Sequence, residues 1–487
     1  MGKRLRMFRY CVAILGISIL AGCAGTRTVD EKSAALHLAN SDYKAYATQF
    51  LNEKGEPRYD PSSLLDVLEA GKAFNDAGMW ELSRDAFDAA GKLLHWKEDT
   101  VDTPAEVANL LGTTLTSDAF GAYQGKIHQG SLIDYYQAIN NLMLGREADA
   151  RVDFNRLQVR QGNAVTQLNA FASTTNKSVG EGLEDEQGAS AKKSLSEVGP
   201  KVADGIKDLP SGLTKAKMRI AAGDVMSAVF RATSSAKSDK NSNIARDMLK
   251  SAGQASATRG GNAMIAYLGK EIRSGKGQLK NKVVLVYEDG MGPGFKEFRI
   301  DLPLFVVSSK VTYTGIALPQ FQQGQPAFGS LRVGEGKFEA ETLTLTNINE
   351  LAALEFDAAY KGIVAKAVIS TIIKTTAQAA INNQIDRDGG GGLVGALLKV
   401  GVGAAQYALT KADTRAWVNL PNTIQMAVVD RPKEGVLKIF SAAGSPLGAV
   451  EVAQNTNTLV LVKAAGTAGK PSIFTQRLPA DTVVAGL

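Results

Sequence analysis

The chain has 487 residues, 44% hydrophobic and 21% charged, a balance that supports packed cores and excludes a chain too polar to fold. Its formal charge is +6, but Lys3, Arg4, Arg6 and Arg9 supply four of those charges, and without that opening +6 becomes +2. No dense basic block remains, which excludes nucleic acid as an electrostatic partner, and the two cysteines (Cys11, Cys23) both lie near the start, which excludes a disulfide framework or a cysteine metal site in the body of the chain.

After the cationic opening comes an apolar run over residues 12–20, then the small pair Ala21-Gly22, then Cys23. These are the parts of a secretory signal. The run is shorter than the roughly 20 apolar residues that a membrane-spanning helix needs. Leu20-Ala21-Gly22-Cys23 resembles the lipobox of bacterial lipoproteins, with an ordinary signal and a coincidental cysteine as the alternative. The resemblance implies a signal peptide over residues 1–22, cleavage before Cys23, and lipidation of the Cys23 thiol, which then anchors the chain to a membrane. Ala24, in place of an aspartate after the cysteine, implies the outer membrane with the body on its periplasmic face. A mature chain with no other cysteine suits that oxidising compartment. Residues 26–32 read as a short polar tether.

From residue 33 to 261 the chain is rich in Ala, Leu and charged residues, which predicts helices. Pro61-Ser62-Ser63 offers a helix start with Asp66 in the first turn. Val67, Ala70, Gly71 and Phe74 then share one face, Asn75-Asp76-Ala77-Gly78 breaks the helix, and Trp80, Ser83, Phe87 and Ala90 mark a second. A small residue where two helices touch, a glycine turn and an aromatic sealing the pair resemble a tetratricopeptide repeat. A second copy has Ala138 in place of Gly71, Gly145 as the turn, and Ala150, Phe154 and Leu157 on its second helix; the two turn glycines are 67 residues apart, close to two periods of about 34. A third, degenerate unit covers residues 226–252, with Ala245, Leu249 and Ala252. An ordinary helical bundle is the alternative. The expected domain is helical over residues 23–275, interrupted by a mobile polar insertion at 172–201.

Residues 282–487 change texture and predict an α+β domain. Val283 to Tyr287 read as a buried strand followed by a turn-rich stretch from Glu288. Residues 296–302 alternate, and further strands are expected at 304–307, 311–317 and 338–345. Asn347 as N-cap with Glu350 three residues on predicts a capping box opening a long helix to about Asn382. Residues 393–409 read as a second helix completing a helical hairpin, although glycines at 395, 401 and 403 also suit close contact in lipid. The end predicts strands at 424–429, 436–440, 448–452, 459–462 and 472–476 in an antiparallel meander. The fold class expected is therefore mixed α + α/β: tetratricopeptide-like helical repeats, then an α+β domain with antiparallel strands and a helical hairpin.

No nucleophile elbow, phosphate loop or zinc-helix motif is found, so no catalytic, metal-binding or cofactor residue is assigned and no enzyme activity is expected. His37, His95 and His128 read as surface or packing residues, His128 within a polar loop. Asp413, Arg415 and Trp417, followed by Leu420-Pro421, read as either a recognition surface or a helix-to-strand corner in which Arg415 pairs with Asp413 and Trp417 plugs the core. If the repeats are real, their first helices line a groove, and Tyr135, Asn140 and Asn141 are the candidates to contact a partner peptide there, Tyr135 with a packing role as the alternative.

Several stretches are similar to one uncharacterised family of bacterial lipoproteins with tetratricopeptide-like repeats. They are Tyr123-Gln124-Gly125, Tyr135-Tyr136-Gln137-Ala138-Ile139-Asn140, Ala150 to Arg156 after Gly145, Ile316-Ala317-Leu318-Pro319, and Ala412 to Trp417 with Leu420-Pro421. The resemblance implies a periplasmic envelope protein, often encoded beside lipoprotein activators of peptidoglycan synthases, and implies no activity. The expected function is a protein–protein interaction scaffold in the envelope, with envelope proteins or peptides as partners. The competing expectation is an envelope hydrolase or glycan-binding enzyme with its site in the second half.

Overall fold

The computed structural model describes residues 28–94, 123, 125–181, 196, 199–234, 239–256, 258–302, 314–335, 339–387 and 411–478. The signal segment, Cys23, His95 and the expected second helix at 393–409 lie outside them. The described part is mixed helix and sheet, with helices first and sheets after.

Two short helices, α1 (Glu31–Ala39) and α2 (Tyr43–Thr48), lead into three helical hairpins. The first is α3 (Leu64–Asp76) and α4 (Trp80–Leu93), the second α5 (Ile127–Met143) and α6 (Glu147–Glu181), the third α7 (Ala221–Thr233) and α8 (Asp239–Ala255). Ser63 caps α3 through a bond from the Asp66 N–H, as its side-chain chemistry predicts. Gly78 and Gly145 turn the first two hairpins at φ +75° and +73°, a left-handed conformation that a Cβ would penalise. A Cβ on Gly71 would lie 2.8 Å from the Phe87 ring, so only glycine lets α3 and α4 approach this closely. The polar insertion expected from residue 172 is corrected in part: α6 continues without a break to Glu181. Once a helix is nucleated by a packed apolar face, each further residue adds a hydrogen bond at little cost, even when its side chain is polar. The tether is corrected as well. Thr28 already docks on α3, its N–H and Oγ1 donating to Asp66 at 2.9 and 2.6 Å, and Val29 is buried.

A further helix, α9 (Arg259–Ser274), precedes the strands. These are β1 (Lys282–Asp289), β2 (Gly294–Leu302), β3 (Thr314–Gln322), β4 (Leu331–Gly334), β5 (Ala340–Glu341) and β6 (Leu343–Asn347). The long helix α10 (Ile348–Arg387) follows, then β7 (Thr423–Asp430), β8 (Val436–Ser441), β9 (Pro446–Glu451), β10 (Asn457–Ala464) and β11 (Ser472–Leu478). Asn347 does open α10, accepting from the Asn349 N–H at 3.0 Å, but Glu350 does not return to cap it. Glu350 pairs instead with Lys217 at 2.6 Å.

The expected antiparallel meander is corrected. One five-stranded sheet has the order β11-β10-β1-β7-β6, and β1 pairs with β10 in parallel, Glu288 opposite Lys463. A second sheet has the order β5-β4-β8-β9, and β2 with β3 forms a separate ribbon against α10. The hairpins β8–β9 and β10–β11 are the antiparallel pairs that local turns specify. The β1–β10 pairing joins residues about 175 apart, as between Val283 and Thr458, and no local turn encodes it.

The central strands β1, β7 and β10 of the five-stranded sheet are buried on both faces, which their side chains divide by the period of two. Val284, Val286, Met426, Leu459 and Leu461 point at the helices, whereas Val283, Leu285, Ala427, Val460 and Val462 point at the second sheet. The helical core and the sheet's inner face form one cluster. The boundary between residues 275 and 282 thus separates helix from strand in the sequence, while the core runs across it.

Candidate functional site

The first helices of the three hairpins carry the sequence-predicted partner site, and they are the buried ones. Every residue of α3 and α7 is buried, as is α5 except Met143. What covers them is the five-stranded sheet. Gln476 of β11 donates to the Leu142 carbonyl at 3.0 Å, Thr346 of β6 accepts from the Ala222 N–H at 2.9 Å, and Asn419 reaches the Glu69 carbonyl at 2.9 Å. A groove along these helices is therefore filled by the chain's own sheet.

The candidates Tyr135, Asn140 and Asn141 are corrected accordingly: they are 0%, 0% and 4% exposed and contact no solvent face. Tyr135 packs edge-on against Tyr136, with ring centres 5.2 Å apart. Asn140 accepts from Asn75 at 2.7 Å and donates to Ser83 at 2.9 Å, while Ser83 donates to the Gly71 carbonyl at 2.7 Å. Asn141 donates to Asp153 at 2.7 Å, and burial pushes the Asp153 carboxyl up to about 6. These amides join helices to one another, because a buried amide is stable only when its donors and acceptors are met. Asn140→Ala together with Asn141→Ala is expected to lower the unfolding free energy by at least about 2 kcal/mol in urea titration. Unchanged stability would refute their place in this network.

Asn140 is one end of a larger cluster at the seam between helices and sheet. Asn75, at the end of α3, accepts from the Lys463 ammonium of β10, which also contacts Asp76 at 2.9 Å and Glu288 of β1 at 3.5 Å. Lys72 of α3 contacts Asp76 and lies 2.9 Å from Glu288. Both ammonium groups sit over the Tyr136 ring, at 5.2 and 5.8 Å from its centre. Two ammonium and two carboxylate groups, between 1% and 6% exposed, thus balance inside the core. Burial pushes the Glu288 carboxyl up, but Lys463 and Lys72 outweigh it and hold the group below the usual carboxylate range. Burial likewise opposes the charged form of Lys72, and Asp76 and Glu288 reverse it and raise the ammonium's pKa. The arrangement ties helix to sheet and presents no open face to a substrate. Sequence reading missed it by placing Glu288 in a turn; the alternation of Val284, Val286 and Glu288 along one face was the available signal.

His128 is not in a polar loop. It stands in the first turn of α5, is buried, and pairs with Glu355 of α10. Glu355 also accepts from the Ile127 and His128 N–H groups, at 2.6 and 3.1 Å, and so closes the positive end of α5. Nothing local links residues 227 apart, so this pair had no sequence signal. At the corner, Arg415 forms a two-bond pair with Asp413 at 2.9 and 2.8 Å, and Trp417 is buried against Phe87 and Tyr136. Arg415 thus pairs with Asp413 and Trp417 plugs the core in the loop that leads into β7; the helix expected before that loop lies outside the described residues.

Outward-facing chemistry is found between α8 and α9. A groove of about 590 Å³ has a floor of Leu249, Ile265 and Ile272 and a rim of Arg246, Lys250, Arg273 and Lys276, all four exposed. Among the described residues none of the four has a carboxylate partner, and no cluster of His, Cys, Asp or Glu is placed to hold a metal. No described helix is long and apolar enough to cross a membrane. Comparison with protein-family models, with characterised proteins and with solved structures finds no match to this chain.

Proposed function

We propose that the chain is a lipoprotein of the bacterial envelope, acylated on Cys23, held at the outer membrane with its body in the periplasm, and acting there as a non-catalytic interaction scaffold. The observation that carries this reading is the order of the first 23 residues: cations, a short apolar run, then Leu20-Ala21-Gly22-Cys23. The three helical hairpins, with Gly71, Phe87, Ala138 and Phe154 at tetratricopeptide-like positions, support descent of the helical part from such repeats. The resemblance to envelope lipoproteins points to partners in cell-wall synthesis.

Because Thr28 docks on Asp66, five residue steps separate Cys23 from the folded body, at most about 17 Å of chain. An acyl anchor would hold the body close against the bilayer. With the inner helices covered by the sheet, partner contacts fall to the outward faces of the second helices. On α6, Val152 and Val159 are exposed two turns apart, an apolar pair suited to a protein partner.

Cys23→Ser is the test of the anchor. The wild-type chain is expected in the outer-membrane fraction with the added mass of its acyl groups, and the variant in the soluble periplasm or as uncleaved precursor. A variant that stays in the membrane with the wild-type mass would refute lipidation. For the scaffold, crosslinking from a photoreactive residue at Val159 in cells is expected to trap envelope proteins; adducts confined to lipid would refute that surface.

A further inference from the structure

The α8–α9 groove joins two chemistries that a folded surface rarely leaves together. Its floor (Leu249, Ile265, Ile272) is apolar, and its rim carries four cations on two facing segments, Arg246 and Lys250 from α8, Arg273 and Lys276 from the end of α9 and the turn after it. Among the described residues none of these cations is in an ion pair: Arg246 donates to the Asn243 side chain, and Asp247, beside it in the α8 sequence, is exposed and pairs with none of the four. Glu271, the nearest acid in the α9 sequence, is taken by Lys282 at 2.6 Å. Lys276 is held at φ +54°, an uncommon conformation for a residue with a side chain, by the turn that ends α9.

The donor and acceptor balance selects the ligand. Of the side chains lining the groove, only the Ser242 hydroxyl can accept a hydrogen bond; the guanidinium and ammonium groups only donate. An extended peptide would bring backbone N–H donors that these side chains cannot satisfy. The phosphate diester of an anionic phospholipid brings acceptors alone to the rim, and acyl carbon brings no polar group to the floor. The volume lies within the range of small-molecule sites.

We propose that this groove binds one anionic phospholipid, its phosphate held by Arg246, Lys250, Arg273 and Lys276 and the upper part of its acyl chains laid on Leu249, Ile265 and Ile272. The assignment does not depend on Cys23: a chain with no covalent lipid would carry the same groove.

Calorimetric titration of the purified full chain with short-chain phosphatidylglycerol below its micelle concentration is expected to give saturable binding of one lipid per chain. The matching phosphatidylcholine and inorganic phosphate are each expected to bind at least about tenfold more weakly. Arg246→Gln combined with Arg273→Gln removes charge at exposed positions and is expected to weaken phosphatidylglycerol binding by about tenfold or more with an unchanged melting temperature. Ala266→Trp, also at an exposed lining position, fills the groove without changing charge and is expected to do the same, so the test stands even if the double variant folds poorly. Equal binding of phosphatidylcholine would overturn the role of the cations. Equal binding of free phosphate would overturn the lipid assignment and leave a simple anion site. Phosphatidylglycerol binding unaltered by Ala266→Trp would place the lipid elsewhere and overturn the proposal.

Discussion

Lys463→Met is expected to lower the unfolding free energy by about 3–5 kcal/mol, because it strands carboxylates in a core that water does not enter. In the wild-type chain Lys463 and Lys72 face Asp76 and Glu288, two charges of each sign. Methionine fills much the same volume, so the loss reads the charge and its bonds to Asn75 and Asp76 rather than a cavity. Adding Glu288→Gln to Lys463→Met removes one charge of each sign and is expected to restore part of the loss, a coupling of about 1–3 kcal/mol in a double-mutant cycle by urea unfolding.

The same cluster sets a pH window. Glu288 has a pKa in the fold below its ordinary 4.5, so its contribution is complete above that value and is lost as pH falls through the folded value. The pKa of Lys72 is raised above its ordinary 10.5, so its contribution is complete below that value and is lost as pH rises through the folded one. The seam is therefore stable across the whole neutral range. In Lys463→Met one of the two cations that hold Glu288 down is gone, and the acid unfolding midpoint should move to higher pH. A variant with unchanged stability and an unchanged acid limb would refute a dry, paired cluster.

Trp417→Ala is the second large effect, a loss of about 3–5 kcal/mol. Its ring lies 5.9 Å from Phe87 of α4 and 6.3 Å from Tyr136 of α5, with Phe87 and Tyr136 themselves stacked at 5.7 Å. Truncation opens a void beside two stacked rings, Phe87 and Tyr136, that are fixed by α4 and α5, so the site cannot collapse around it. Trp417→Phe keeps a ring in place and removes an indole N–H that has no hydrogen-bond partner among the described residues, so it should cost less than about 1.5 kcal/mol. Equal losses for the two variants would show that the indole N–H matters more than the packing.

The sequence by itself determined most of the local structure. Ser63 starting α3, Gly78 and Gly145 turning the first two hairpins, Phe87 packing on Gly71, Asn347 opening α10 and the spans of β7 to β11 all follow from short-range signals: caps, positive φ and apolar periodicity. Asp413, Arg415 and Trp417 carried both their roles in the sequence, and the fold selected the structural one. The partner site was misplaced for a physical reason. Tyr135, Asn140 and Asn141 lie on the helix faces that a repeat array would offer to a ligand, and polarity alone does not tell an exposed amide from a buried, satisfied one. Only tertiary structure decided that the chain's own sheet takes that place, because the pairings responsible are long in sequence. Lys463 meets Asp76 across 387 residues, Glu355 meets His128 across 227, and β10 lies parallel to β1. Such contacts are selected by the total burial of the fold, which no window of the sequence contains.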